Sequence, residues 1–313
     1  MNADPCSILA LLLSPGVGLA AVRRAIAASE AANLPLAKLL TLPWQEAVHV
    51  LPPGLHMVAA DLRQCRSAAQ DRARRLLERV SEAGFQAISI DREDYPHALR
   101  DTLRENAPPL LFAAGDPALL GAALAAVVGA RDPSPRGAHV ASACAGILAG
   151  EGAVIVSGGA RGVDSTAHEA ALRKDGKTIV VLPQGILTYR GPALLFDAIQ
   201  DGRAAIVSEF APDMGWETHA AVTRNATISA LARLVCVIEP KRTGGSVRTA
   251  RCALSQGKRV LVFPARGFAS VAQGLSSSGA LELVEGRRPV DLEALADLWR
   301  TASARPQEQE TLF

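Results

Sequence analysis

Aromatic side chains are scarce: two tyrosines, three tryptophans and seven phenylalanines make up 4% of the chain. A ligand held mainly by stacking on aromatic platforms is therefore poorly served. Long hydrophobic runs are missing too. The one nearest the amino terminus, Ile8 to Leu13, is far shorter than the roughly 20 residues that span a bilayer, and no basic stretch precedes it. Neither a signal peptide nor a membrane anchor is expected. Five cysteines (Cys6, Cys65, Cys144, Cys236, Cys252) are scattered with no CxxC and no nearby histidine pair. That spacing suits neither a disulfide framework nor zinc, and it points to the reducing cytoplasm. An excess of one charge is also lacking, because 33 Lys and Arg oppose 31 Asp and Glu for a formal charge of +2. A polyanion would have to be met by local clusters. Neither GxGxxG nor GxxxxGK(S/T) occurs, so a dinucleotide fingerprint and an ATP-hydrolysing P-loop both lack support. No carboxylate cluster suggests magnesium, and no metal or cofactor is expected.

What is present is the material of a globular protein, 49% hydrophobic and 20% charged over 313 residues. That length suits one large domain and a smaller one. Residues 1–82 carry helical patterns. Ile8 to Leu13, Ser14 to Gly18 and Ala20 to Ile26 form a helix, glycine turn and helix. Between Asp61 and Val80, small or apolar residues recur every three or four positions, with arginines at 63, 66, 72, 74, 75 and 79 between them. A solvated outer face is the plainer reading of those arginines, and a polyphosphate contact is the alternative.

Over residues 83–285 the pattern changes to short apolar runs, each followed by glycine and a helical stretch. The runs are Ala87 to Ile90, Leu124 to Val128, Ala153 to Val156, Thr178 to Leu182, Ala204 to Val207, Leu234 to Ile238 and Arg259 to Phe263. Strands apolar on both faces and separated by helices predict a mainly parallel, doubly wound, Rossmann-like α/β sheet behind a small helical amino-terminal domain. Residues 286–313 read as one weak helix, Asp291 to Arg300, and a flexible tail.

Ligands of such sheets lie beyond the carboxyl ends of the strands. There the chain places Gly129 and Arg131 after one run, and Ser157, Gly158, Gly159, Arg161 and Gly162 after the next, with Asp164 opening a helix. Arg224 and Asn225 precede helical Ala226 to Ala232, and Gly244, Gly245 and Ser246 lie near Lys241, Arg242 and Arg248. Glycine lets backbone N–H groups approach an anion, a helix N-terminus adds partial positive charge, and arginine forks onto phosphate. Four such loops on one edge suit a chain of phosphates.

From Tyr95-Pro96 through Val128-Gly-Ala-Arg131, Ser157 to Asp164, His168, Gly185, Ser208-Glu209, Arg224-Asn225 and Gly245-Ser246 to Phe263-Pro264, the motif order resembles the DNA-processing protein A (DprA/Smf) family. The resemblance implies an extended Rossmann domain that binds single-stranded DNA as a homodimer and hands it to the recombinase RecA, with the loop residues named above in its phosphate pocket. Arg161 stands where the family usually has lysine, and nothing after Phe263 resembles the winged helix that often follows. The expectation is a non-enzymatic binding protein. The alternative is a nucleotide-binding or phosphoribohydrolase-like protein, in which Glu209 or Glu239 would bond ribose hydroxyls; Thr243 to Val247 matches the Pro-Gly-Gly-x-Gly-Thr loop of those enzymes only in part.

Asp164 and His168, four apart on one helix face, have the spacing of an acid–base pair. Equally, they have that of a helix cap and a histidine bonded to a neighbouring strand. Tyr189, Phe210, Trp216 and Phe268 are candidate stacking residues or core. The last five residues resemble the QxxLF peptide that docks on the replicative sliding clamp, with Gln309, Leu312 and Phe313 as its anchors; the other reading is docking on the protein's own surface.

Overall fold

The computed structural model describes residues 3–51, 55–56, 68–241, 243–263, 274–275, 277–282 and 292–303. In chain order the elements begin α1 (Pro5–Leu13), α2 (Leu19–Ala31), α3 (Leu36–Thr41), α4 (Trp44–Val50), α5 (Ala68–Glu82), β1 (Gln86–Ser89), α6 (His97–Leu103), β2 (Leu110–Gly115) and β3 (Leu124–Gly129). They continue with α7 (Pro135–Gly150), β4 (Val154–Ser157), α8 (Val163–Arg173), β5 (Lys177–Val181), α9 (Ala193–Gln200), β6 (Ala204–Ser208) and α10 (Thr218–Leu231). The last are β7 (Leu234–Ile238), α11 (Gly245–Ser255), β8 (Arg259–Phe263), β9 (Leu281–Glu282) and α12 (Leu292–Ser303). No helix among the described residues is long and apolar enough to cross a membrane.

Two compact units form. The first is Met1–Gly121, Leu182–Ile199 and Ala205–Ala221. Its first helix starts where Asp4 accepts the Cys6 and Ser7 amides ahead of Pro5, satisfying donors that lack an intrahelical partner. α1 packs on α5, β1 and β2, so the helices before residue 82 share a core with the first strands and do not separate there. Ile8, Leu9, Leu76, Val80, Ile88 and Leu111 are buried in this unit. β1 pairs antiparallel with β2, and β2 antiparallel with β6. Strand β2 was not read from the sequence, because Pro108-Pro109 directly before it looks like a loop.

The second unit is Ala122–Val181, Gln200–Ala204 and Val222–Phe313. Its strands run parallel in the order β5-β4-β3-β7-β8-β9. The register sets Val127 level with Cys236, and Cys236 level with Leu261. These and the other residues of the same phase, Ala125, Ile155, Leu234 and Ile238, face a core completed by α7, α8 and α12. The alternate residues Val235 and Val237 are just as buried, with α11 packed against β7 and β8. Both faces are covered, which is why these strands carry apolar residues on both faces. The chain leaves β3 for β4 and β5 on one side, then returns to β7 and β8 on the other. The switch point is β3, and the loops after β3, β4 and β7 open on one edge.

One reading changes here, and one gains detail. Arg224 and Asn225 lie inside α10, which starts at Thr218; no glycine or proline interrupts the chain before Leu231, so nothing makes a strand-end loop at that point. The segment after residue 286 holds a docked helix. Trp299 of α12 is 2% exposed, and its indole N–H donates to the Glu151 carbonyl at 3.3 Å while Arg300 forks onto the Glu151 carboxylate at 2.8 and 2.9 Å.

Candidate phosphate-binding edge

The loop between β4 and α8 is wound around an internal carboxyl group, that of Asp164. The Gly158 and Ala160 amides donate to Asp164 Oδ2 at 3.1 and 3.4 Å, so these two donors are already taken. Gly159 has φ +66° and Gly162 has φ +90°. The amides of Gly159, Arg161 and Gly162 bond no backbone group among the described residues. Such glycine-rich loop amides ahead of a helix are the kind of donor that binds an anion. Burial pushes the Asp164 carboxyl up from its ordinary range, against the pull of Arg224 and the two loop amides.

Arg224 supports this loop from beneath. Its guanidinium lies so close to the Gly158 backbone that a Cβ at Gly158 would sit 1.4 Å from Nη1, and the residue is 6% exposed. Gly162 fastens the loop to its neighbour: a Cβ there would meet the Ala130 carbonyl oxygen at 2.5 Å, and the Val163 amide donates to that same oxygen at 3.1 Å. Gly129 is needed in the same way, for close approach of the Ile238 carbonyl. Ser157 is fully buried and donates its hydroxyl to the Val127 carbonyl at 2.7 Å.

The loop after β3 differs from the first expectation, because the start of α7 is occupied by a carboxylate of the chain itself. Ser134 caps α7 by accepting the Gly137 amide at 3.0 Å, and its own amide and hydroxyl donate to Glu239 at 2.8 and 2.5 Å. Glu239 stands at φ +47°, at the end of β7, and a Cβ on Gly137 would strike its carboxylate. A carboxylate is favourable at a helix N-terminus for the same reason a phosphate would be. Here it clasps two loops at the switch point, so Glu239 is engaged within the fold. Sequence reasoning missed this clasp, although Ser134-Pro135 is a helix-start signal.

At α11, Asn225 Nδ2 donates to the Gly245 carbonyl at 3.4 Å, and Thr249 donates to the same oxygen at 3.2 Å. Asn225 and Ser246 are buried, whereas Gly245 and Arg248 are exposed. The structure thus divides the predicted site residues. Arg131, Gly159, Arg161, Gly245 and Arg248 face solvent, with Gly244 half-buried beside them. Gly129, Ser157, Gly158, Gly162, Arg224, Asn225 and Ser246 support the loops that carry them. None of Arg131, Arg161 and Arg248 forms an ion pair among the described residues. Arg242, Phe268 and the tail residues Gln309, Leu312 and Phe313 lie outside the described residues.

The Asp164–His168 pair is engaged inward. The Thr178 hydroxyl donates to the Ile155 carbonyl at 2.8 Å, so at 2.6 Å His168 Nδ1 must be the donor to Thr178 Oγ1. Nε2 then carries no proton. Burial, reinforced by Arg224, lowers the His168 pKa to about 4. Among the stacking candidates, Tyr189 and Phe210 are half-buried in the first unit, and Trp216 there is 51% exposed. No group of three or more metal-ligating side chains occurs among the described residues.

Fold and loops together define a Rossmann-like α/β protein that presents guanidinium groups and helix N-termini along the carboxyl edge of a parallel sheet. A family model described as DNA recombination-mediator protein A matches residues 63–284, and the chain belongs to that family. It is 38% identical over 187 residues to Protein Smf of Escherichia coli, across 59% of this chain and 50% of that protein. To DNA processing protein DprA of Bacillus subtilis it is 31% identical over 255 residues, covering 77% and 84% of the two. The match spans only about half the length of the Escherichia coli and Mycobacterium tuberculosis relatives, 50% and 56%. The X-ray structure of DprA from Streptococcus pneumoniae superposes with TM-score 0.67 at 28% identity, over 92% of this chain and 97% of that one. DprA from Helicobacter pylori, in a structure described for its single-stranded DNA binding mode, gives TM-score 0.57 at 29% identity, over 69% and 96%.

Proposed function

We propose that this protein is a cytoplasmic, non-enzymatic single-strand DNA-binding protein that holds the strand by its phosphates along the carboxyl edge of the sheet. The observation that carries the reading is the set of exposed arginines without acidic partners: Arg131 and Arg161 on loops braced from within by Asp164, Arg224 and Glu239, and Arg248 in the first turn of α11. The single-stranded DNA binding mode described for the Helicobacter pylori relative supports the same substrate. The ribose-binding alternative loses one of its two acids, since the Glu239 carboxylate is bonded to Ser134.

Fluorescence anisotropy with a labelled oligonucleotide tests the proposal. Each phosphate contact to a single strand contributes about 0.7 to the slope of log affinity against log salt. Arg131→Ala with Arg161→Ala is expected to weaken binding and flatten that slope by about 1.4. Absence of binding at low salt, or a slope untouched by the double substitution, overturns the reading.

In this proposal the strand is delivered to a RecA-type recombinase in recombination or transformation, and the protein acts as a homodimer. Light scattering on a sizing column, with and without recombinase, reads both; a monomer that never co-elutes with the recombinase removes these two elements. For the tail, a peptide ending in Leu312-Phe313 is expected to bind the sliding clamp and its Phe313→Ala counterpart to be lost, whereas equal retention of both removes the clamp as a partner.

A further inference from the structure

Glu239 is 9% exposed, and no lysine or arginine pairs with it among the described residues. Acidic side chains are seldom buried this far without a cation. Asp164, the other buried acid of this edge, has Arg224 as its positive neighbour. The partners of Glu239 are neutral, namely the Ser134 amide and hydroxyl, which donate to its two carboxylate oxygens. What replaces the cation is the N-terminus of α7, a helix of 16 residues, and that end carries about half an elementary charge. Part of the carboxylate's charge therefore stays uncompensated at the switch point.

The surrounding backbone is fitted to this carboxylate. Glu239 holds φ +47°, a conformation that costs a residue with a side chain, and its amide donates to the Phe263 carbonyl at 2.8 Å. On the facing side, a Cβ at Gly137 would lie 2.4 Å from the carboxylate carbon, so only glycine leaves room for it. Little of the first turn of α7 is left for another anion: Pro135 has no N–H, and the Gly137 amide is bonded to Ser134 Oγ at 3.0 Å. The register sets Ile238 level with Gly129, so Glu239 comes one residue beyond the end of the switch strand. In a doubly wound sheet that crevice is where a nucleotide ordinarily lies. Here the chain has filled it with an anion of its own.

We propose that Glu239 determines which phosphates this protein accepts: its carboxylate fills the switch-point seat and repels the phosphate of a free nucleotide, while phosphates that stay outside the seat, on the exposed arginines, are held. The inference rests on the single-strand reading above and adds a reason for the substrate class. A phosphate monoester carries about 1.5 to 2 negative charges at neutral pH, more than each diester of a strand, so the carboxylate opposes it more strongly. A mononucleotide must also bind through one phosphate group. A strand spreads its charges over several arginines and can pass the seat by.

Two variants test it. Glu239→Gln keeps the shape of the clasp and removes its charge, whereas Glu239→Ala empties the seat. By anisotropy at low salt, Glu239→Gln is expected to bind a labelled oligonucleotide about threefold more tightly than wild type, with the advantage vanishing at high salt. A clasp that serves only to hold the loops together would give no such gain. In thermal unfolding, adenosine 5′-monophosphate, compared with adenosine at equal ionic strength, is expected to raise the midpoint of Glu239→Ala and to leave that of wild type unmoved. Glu239→Gln binding no more tightly than wild type, or the monophosphate acting alike on wild type and Glu239→Ala, overturns the inference and leaves the proposed function standing. Where Glu239→Ala does not fold, the glutamine comparison decides alone. A wild-type protein that binds no oligonucleotide overturns the proposed function, and the monophosphate comparison then decides this inference by itself.

Discussion

Arg224 sits under the loop at Gly158 and contributes positive charge to two buried titratable neighbours, Asp164 and His168. Burial, with the Arg224 charge added to it, holds His168 neutral, which sets a sign for acid sensitivity. An unfolded histidine titrates near 6.5, whereas folded His168 is lowered to about 4. Between those values the unfolded chain takes up a proton that the folded one refuses, so this group makes stability fall as pH falls from about 6.5 toward 4. Asp164, shifted upward, acts with the opposite sign, favouring the fold below its folded pKa and losing that benefit as pH rises through it. Comparing wild type with His168→Gln isolates the histidine, because Asp164 is present in both. In urea titrations the wild type is expected to lose about 2 kcal/mol more than the variant between pH 7 and pH 5. Equal losses would show that His168 is not held neutral.

At the scale of elements, the strands with continuous apolar runs, β3, β4, β5, β7 and β8, were legible in the sequence, since burial on both faces leaves a local signature. α12 was legible only as a weak helix. What makes it part of the fold is Trp299, buried against the core that α7 and α8 share, with Arg300 on Glu151. Removing a buried tryptophan costs about 3–5 kcal/mol. Trp299→Ala is expected to lower the denaturation midpoint accordingly while leaving oligonucleotide affinity intact wherever the protein remains folded, because α12 packs on α7 away from the phosphate loops. An unshifted midpoint would mean that α12 contributes nothing to the core. The start of α10 was misplaced for a converse reason: its polar residues Thr223, Arg224 and Asn225 look like a loop, and only contacts with Gly158 and Gly245 explain why two of them are buried inside a helix.

For the molecule as a whole, the scarcity of aromatic residues and the exposed arginines of the carboxyl edge point the same way. Affinity is expected from phosphates, with strong salt dependence and little choice among bases. Trp216, more exposed than a core reading allowed, is the exception among the stacking candidates. Reading along the chain was enough to obtain the alternation of strands and helices, the edge on which the loops lie and the residue types they carry, because periodicity, glycine and arginine act locally. Which arginines meet solvent was settled by packing. Arg161 and Arg224 look alike in sequence, yet one is exposed on a loop and the other is buried beneath the Gly158 backbone. Glu239 likewise acquires its role only when the fold brings it to Ser134, 105 residues away; a buried charge takes its function from whatever the rest of the chain places against it.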